Sequence, residues 1–216
     1  MKHNLLICFL LLVSVAGFTQ NGRKGWYIEP GVGYGSYKLD LYNYNGGSGT
    51  YADQKFSQPV VSVGLERKSI LEKNRFVLDG GATLTGGFGL TTKSKGAGSG
   101  NAGDIKGGWS LGISALAKAG YLAGSKPGAI VPQLGLGPYF ISLQSGSGEE
   151  GFSSKIYGIQ GIAGVEFHVS NIMLMPNIRW GVGSWGNSDR FIGRADNTQN
   201  GQPAMFEVGV SAAIRL

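Results

Sequence analysis

The sequence predicts an all-β chain: an eight-stranded antiparallel up-and-down transmembrane β-barrel. Three observations predict it. Apolar residues alternate with small or charged ones along most of the chain, the period of strands with one oily face. Long connections rich in Gly, Ser, Asn and Asp alternate with short ones. Aromatic side chains sit at both ends of the apolar faces with aliphatic ones between, the arrangement of a surface that crosses two lipid–water interfaces.

The strands follow in order. Trp26, Ile28, Val32 and Tyr34 mark the first, about 26–38, and Val61, Val63 and Leu65 the second, about 56–67. Phe76, Leu78, Ala82, Leu84, Phe88 and Leu90 mark the third, 75–90. Trp109, Leu111, Ile113, Ala115, Ala117 and Tyr121 give 107–121; Ile130, Leu134, Leu136 and Phe140 give 129–143. Tyr157, Ile159, Ala163, Val165 and Phe167 give 155–169, and Ile172, Leu174, Ile178, Trp180 and Val182 give 172–185. The last strand, 204–216, is the most regular. Phe206, Val208, Val210, Ala212, Ile214 and Leu216 alternate with Glu207, Gly209, Ser211, Ala213 and Arg215. Such a strand is expected to close against the first and leave no edge.

The long connections are 39–55, 91–106, 144–154 and 186–203; the short ones are 68–74, 122–128 and 170–171. In bacterial outer-membrane barrels the long loops are extracellular and the short turns periplasmic. A long first connection and an even strand number therefore put both termini in the periplasm. Pro30, Pro132, Pro138 and Pro176 fall inside the strands, and each must remove a ladder hydrogen bond.

Residues 1–20 read as a secretory signal peptide. Met1–Asn4 is a short positive region, Leu5–Val15 an apolar run too short to cross a bilayer, and small residues follow. Cleavage is expected after Ala16 or Thr19. Cys8, the only cysteine, is expected to leave with the signal, so no disulfide is expected. Residues 21–216 then form one barrel domain. The net charge of +6 falls to +5 without Lys2. Nucleic-acid binding is not expected, because the basic residues form no stripe. Contact with lipid phosphates is: Lys93, Lys95, Lys106 and Lys155 edge the outer rim, toward lipopolysaccharide. Arg23, Lys24, Arg67, Lys68, Lys73 and Lys126 edge the inner rim, toward phospholipid headgroups.

These features resemble the small eight-stranded outer-membrane barrel family, of the type of the OmpA membrane domain and OmpX. The resemblance covers nearly all of 21–216 and rests on topology and periodicity. Of the family's C-terminal assembly signal, Ile214-Arg215-Leu216 matches the apolar pair. Gly209, Ser211 and Leu216 stand where a polar residue, Gly and an aromatic are usual. The resemblance implies a structural or binding protein of the outer membrane of a Gram-negative cell.

The strand face opposite the apolar one carries Glu29, Glu66, Asp79, Glu166 and Glu207, with Arg75, Lys118, Arg179 and Arg215. Eight strands enclose a space that side chains can fill. Near-balanced buried charges must pair, so these nine residues are expected to form an ion-pair network that plugs the lumen. The alternative is a gate whose partners exchange and open a narrow path. Nearer the long loops the lumen face is Gly-rich (Gly31, Gly33, Gly35, Gly87, Gly89, Gly135, Gly137, Gly181, Gly183). That predicts either relief of curvature or a cup opening outward beneath Tyr37 and Tyr139.

Catalysis is not expected. His168-x-Ser170 resembles the His-x-Ser of outer-membrane lipid A deacylases, but it has lumen parity and lies beside a short turn. His168 is the only histidine of 21–216, so no metal cluster and no cofactor is expected. Glu149-Glu150 reads as a solvated loop pair. Specificity then belongs to the loops: Tyr42, Tyr44 and Tyr51 in the first, and Asp189, Arg190 and Arg194 in the fourth. The expected function is a small integral outer-membrane barrel with a structural or loop-mediated binding role. The alternatives are a narrow pore, or an accessory subunit that binds other outer-membrane or periplasmic proteins in a secretion or assembly complex.

Overall fold

The computed structural model describes residues 23–45, 48–96, 107–124, 129–145, 152–169, 172–190 and 204–216. Its strands are β1 (Gly25–Asn45), β2 (Ser48–Lys73), β3 (Phe76–Phe88), β4 (Thr91–Gly96) and β5 (Gly108–Tyr121). They continue as β6 (Ile130–Ser145), β7 (Phe152–Val169), β8 (Ile172–Arg190) and β9 (Ala204–Arg215). The sheet runs β1, β9, β8, β7, β6, β5, β3, β2 and closes back on β1, with every pairing antiparallel. β4 pairs with β2 beyond the end of β3 and prolongs the same stave. The result is an eight-stranded closed barrel. Closure gives the staves partners on both sides, the condition for a sheet surrounded by hydrocarbon.

Burial follows the sequence period. Along β5 it alternates residue by residue, with Trp109, Leu111 and Ile113 exposed and Ser110, Ser114, Leu116 and Lys118 buried. The outward face is almost entirely apolar: Val32, Phe76 and Leu134 are each more than 60% exposed. Trp26, Phe76, Tyr121 and Phe167 are exposed at the turn end, and Tyr34, Phe88, Trp109, Phe140 and Tyr157 toward the loop end. Phe76 and Tyr121 meet edge to face, ring centroids 5.5 Å apart. Hydrocarbon is the solvent that such a surface fits.

Four local features depart from the regular alternation, and each has a cause. First, the β1–β2 ladder continues to Asn45↔Ser48, so 39–55 is largely a paired hairpin and not a loop. The β7–β8 ladder likewise reaches Phe152↔Arg190. β1 has 21 residues, which at about 3.3 Å per residue and a tilt of about 40° rise roughly twice the ~25 Å apolar band. Beyond the band water covers both faces, so backbone pairing continues without apolar alternation. Second, Asn74 and Arg75 both have positive φ, 49° and 71°, as a two-residue type I′ hairpin turn requires. Third, the β2–β3 register shifts between Arg67 and Leu71, Ser69 has φ 50°, and the adjacent Lys68 and Ser69 both turn inward. Fourth, Gly89 (φ 71°) interrupts the stave between β3 and β4. Leu90, expected on the outer face, is thereby buried inside, at 0% exposure.

Each of the four prolines expected inside strands meets a break in one ladder. The β1–β9 pairing lapses between Ile28↔Ile214 and Gly31↔Ser211, at Pro30. The β5–β6 pairing lapses between Ser114↔Tyr139 and Ala117↔Leu136, at Pro138, and ends at Gly120↔Gln133, beside Pro132. The β7–β8 pairing lapses between Gly164↔Asn177 and Phe167↔Leu174, at Pro176. On the other side each proline keeps its partner, Val63, Ile159, Val165 or Val210. The missing N–H costs a local gap without moving the register.

Candidate functional site

The functional features of the interior are two layers of side chains at its two ends. The inner layer, toward the short turns, is ionic. Arg23 lies just before β1, and its guanidinium reaches across the lumen to Asp79 on β3 and Glu166 on β7. Nη1 donates to Asp79 Oδ1 at 2.6 Å, Nη2 to Asp79 Oδ2, and Nε to Glu166 Oε1 at 2.9 Å. Lys68 Nζ donates to Glu166 Oε2 at 2.7 Å and lies 3.4–3.5 Å from Glu66 and Glu29. It also stands 5.7 Å from the centre of the Tyr27 ring. Lys118 Nζ donates to Glu66 Oε2 at 2.8 Å and is 3.8 Å from Glu29. Gln133 Nε2 donates to Asp79 Oδ2 at 2.7 Å, and His168 Nε2 is 2.7 Å from Glu166 Oε1. All the carboxylates and cations of this layer are buried, with Lys68 and Glu166 at 0% exposure.

Glycine makes room for these crossings. A Cβ on Gly135 would lie 2.8 Å from Lys118 Cγ and from Ile162 Cγ2, and one on Gly81 would lie 2.6 Å from the Leu65 carbonyl. The bulge at Ser69 adds a further grip, since its backbone N–H donates to Asp79 Oδ1 at 2.7 Å.

The outer layer, toward the long connections, is apolar. Tyr37, Phe56, Leu90, Tyr139, Ile141, Leu143, Ile156 and Met205 form one buried cluster across the lumen. Tyr37 lies over Gly35, where a Cβ would meet its hydroxyl at 2.5 Å, and its O–H donates to Glu207 Oε1 at 2.7 Å. Gln58 packs against Gly87 and donates to Ser110 Oγ. At Gly35 and Gly87 the space left by the missing side chain is taken by Tyr37 and Gln58, which disfavours the outward-opening cup of the two readings. Between the layers, Leu116, Ile162 and Met175 pack together. Arg179 and Glu207 are cross-strand partners there and border cavities of only about 10 and 20 Å³.

The structure brings Glu29, Glu66, Asp79, Lys118 and Glu166 into one network. It separates Arg179 and Glu207 from them, in the middle of the barrel. Arg215 is half-buried at the turn end, with Nε 3.0 Å from where a Gly25 Cβ would stand. Arg75 is a correction: it is exposed on the two-residue turn and takes no part in the network. Arg23 and Lys68 are the converse correction, since both were expected on the rim and both are buried in the lumen. Lysine at 68 continues the even, inward parity of β2 and could have been found by extending that strand. Arg23 likewise continues the odd, inward parity of β1, two residues before Gly25. The backbones of Tyr42, Tyr44 and Tyr51 lie in the β1–β2 hairpin, where Tyr42 pairs with Tyr51; those of Asp189 and Arg190 lie at the end of β8. Arg194, Ser170 and residues 1–20 lie outside the described residues, as do Lys106, Lys126 and Glu149-Glu150.

A closed antiparallel barrel with an apolar exterior and aromatic residues at both ends of its apolar band defines a transmembrane β-barrel protein. No family model matches the chain, and no curated protein does. Among solved structures it is similar to Neisserial surface protein A (TM-score 0.48, 16% identity, 91% of this chain and 100% of that one). It is also similar to the outer membrane protease OmpT of Escherichia coli (0.43, 8%, 92% and 98%). A third likeness is to an outer membrane channel of Pseudomonas putida F1 (0.32, 12%, 92% and 100%). At such scores the likenesses carry no argument about activity. The barrel stands on its own topology.

Proposed function

We propose that this protein is a small integral barrel of the outer membrane of a Gram-negative cell, with both termini periplasmic. Its lumen is plugged, and its biochemical role is structural or lies in the hairpins above the membrane. The observation that carries this reading is the filled interior. Ionic and apolar layers succeed each other along the lumen, and the spaces beside Arg179 and Glu207 would each hold about one water. The two aromatic rings and the apolar band between them support the membrane placement. The prolonged β1–β2 hairpin and the outer end of the β7–β8 ladder would carry Tyr42, Tyr44, Tyr51, Asp189 and Arg190 toward lipopolysaccharide or a protein partner, and Arg194 follows them in sequence. Among the described residues of the lumen, His168 contacts Glu166, a carboxylate already held by Arg23 and Lys68.

Shortening residues 42–51 to a Gly-Ser turn tests where the role lies. The trimmed barrel should still assemble, seen as a heat-modifiable gel shift, because hairpin length costs little closure entropy. Its binding to lipopolysaccharide-containing vesicles should fall. Unchanged binding after trimming, with loss in inner-layer variants, would transfer the role to the lumen or to a periplasmic partner.

A further inference from the structure

Arg23 differs from every other member of the ionic layer. Its partners sit on barrel strands, whereas Arg23 precedes Gly25, where β1 begins. All five N–H donors of its guanidinium are taken. Nε donates to Glu166 Oε1 (2.9 Å), Nη1 to Asp79 Oδ1 (2.6 Å) and Ser69 Oγ (3.2 Å), and Nη2 to Asp79 Oδ2 and Glu166 Oε2 (3.2 Å). The acceptors come from β2, β3 and β7, and each carboxylate is held independently of Arg23. Asp79 accepts from the Ser69 backbone and from Gln133. Glu166 accepts from Lys68 and contacts His168. Gln133 is 4% exposed and beside the cradle, and its Oε1 has no partner among the described residues, so an acceptor is left over.

An acidic pair fixed on a rigid wall, matched to a planar fork, and filled from outside the ladder has the construction of a receptor with its ligand. We propose that the inner end of the lumen is a guanidinium-binding site, occupied here by Arg23 as a tethered ligand. Emptied of the Arg23 side chain, the site takes another guanidinium. That group is the arginine side chain of a peptide or a small guanidinium compound. The geometry selects against ammonium ions. A lysine or alkylamine carries the charge but is a point donor, and it cannot span Asp79, Ser69 and Glu166 together. The site is separate from the hairpin role proposed above: hairpin trimming leaves it intact, and its own readout is cation selectivity.

The test uses Arg23→Ala in detergent, with the thermal midpoint of the folded band followed while millimolar methylguanidinium or methylammonium is added. Arg23→Ala should show a saturable rise in midpoint with methylguanidinium and none with methylammonium. Wild type should show neither, because its site is filled, and Asp79→Asn in the Arg23→Ala background should lose the response. Acetyl-Gly-Arg-Lys-Gly-amide, copied from residues 22–25, separates the two sources. A stronger response to the peptide than to methylguanidinium assigns the site to arginine in a chain, and a weaker one to small guanidinium compounds. If Arg23→Ala does not assemble alone, its refolding yield with each cation becomes the readout, with rescue expected from methylguanidinium only. Equal effects of the two cations, or no effect of either, would overturn the proposal.

Discussion

The two ends of the lumen are lined by different chemistry. At the loop end, eight apolar or aromatic side chains pack into one cluster. At the turn end, three cations (Arg23, Lys68 and Lys118) and four carboxylates (Glu29, Glu66, Asp79 and Glu166) hold one another. An apolar layer needs only volume, so it tolerates exchange of one member for another of similar size. An ionic layer in a desolvated space depends on its shared partners, because removing a cation that several carboxylates share strands them. The apolar end is therefore suited to sealing, and the ionic end to discriminating among charged groups.

The comparison breaks most sharply at Lys68. It is fully buried and touches Glu29, Glu66 and Glu166. Lys68→Ala should cost about 3–5 kcal/mol, the loss on stranding buried charge, in urea unfolding from liposomes. Leu143→Met, in the apolar cluster, should cost less than about 1.5 kcal/mol because volume is conserved. Equal costs would erase the distinction between the layers.

The next effect lies on the wall. Leu111 points outward and is 55% exposed; Ser114 points inward. Leu111→Arg should destabilise by about 2–4 kcal/mol in the bilayer, read by the same unfolding experiment. Ser114→Arg meets no lipid and should lack that penalty, whatever crowding it causes. Tolerance of arginine at Leu111 would refute the outward face as the lipid face.

The smallest effect sharpens the boundary of the network. Arg75 is exposed on the β2–β3 turn, so Arg75→Ala should stay within about 0.5 kcal/mol of wild type. A cost near that of Lys68→Ala would return Arg75 to the lumen.

What could be read from the sequence follows the physics of each part. The wall was legible because one face meets hydrocarbon and the other does not, and that contrast writes a period of two into Leu111, Ile113 and Ala115. The prolonged hairpins were not. Tyr42 to Tyr51 lacks the apolar alternation, so it reads by composition as loop although its backbone is paired. Glu29, Glu66, Asp79, Lys118 and Glu166 could be found because charge on the inward parity is costly unless paired. Arg23 shares the odd, inward parity of Tyr27 and Glu29 but lies outside the expected first strand, 26–38, so only an extension of that strand brings it in. The bulge hid Ser69, and Gly89 turned Leu90 from the outer face to the inner cluster. One-residue irregularities invert parity, and periodicity alone carries no sign of them.

Single-channel recording of the purified protein in a planar bilayer decides whether the interior is filled from end to end. Wild type should give no stable conductance at moderate voltage and salt. Arg23→Ala should also stay closed, because the apolar cluster of Tyr37, Phe56 and Tyr139 still blocks the loop end. A large, steady conductance from the wild type would contradict the filled lumen and establish the narrow pore in its place.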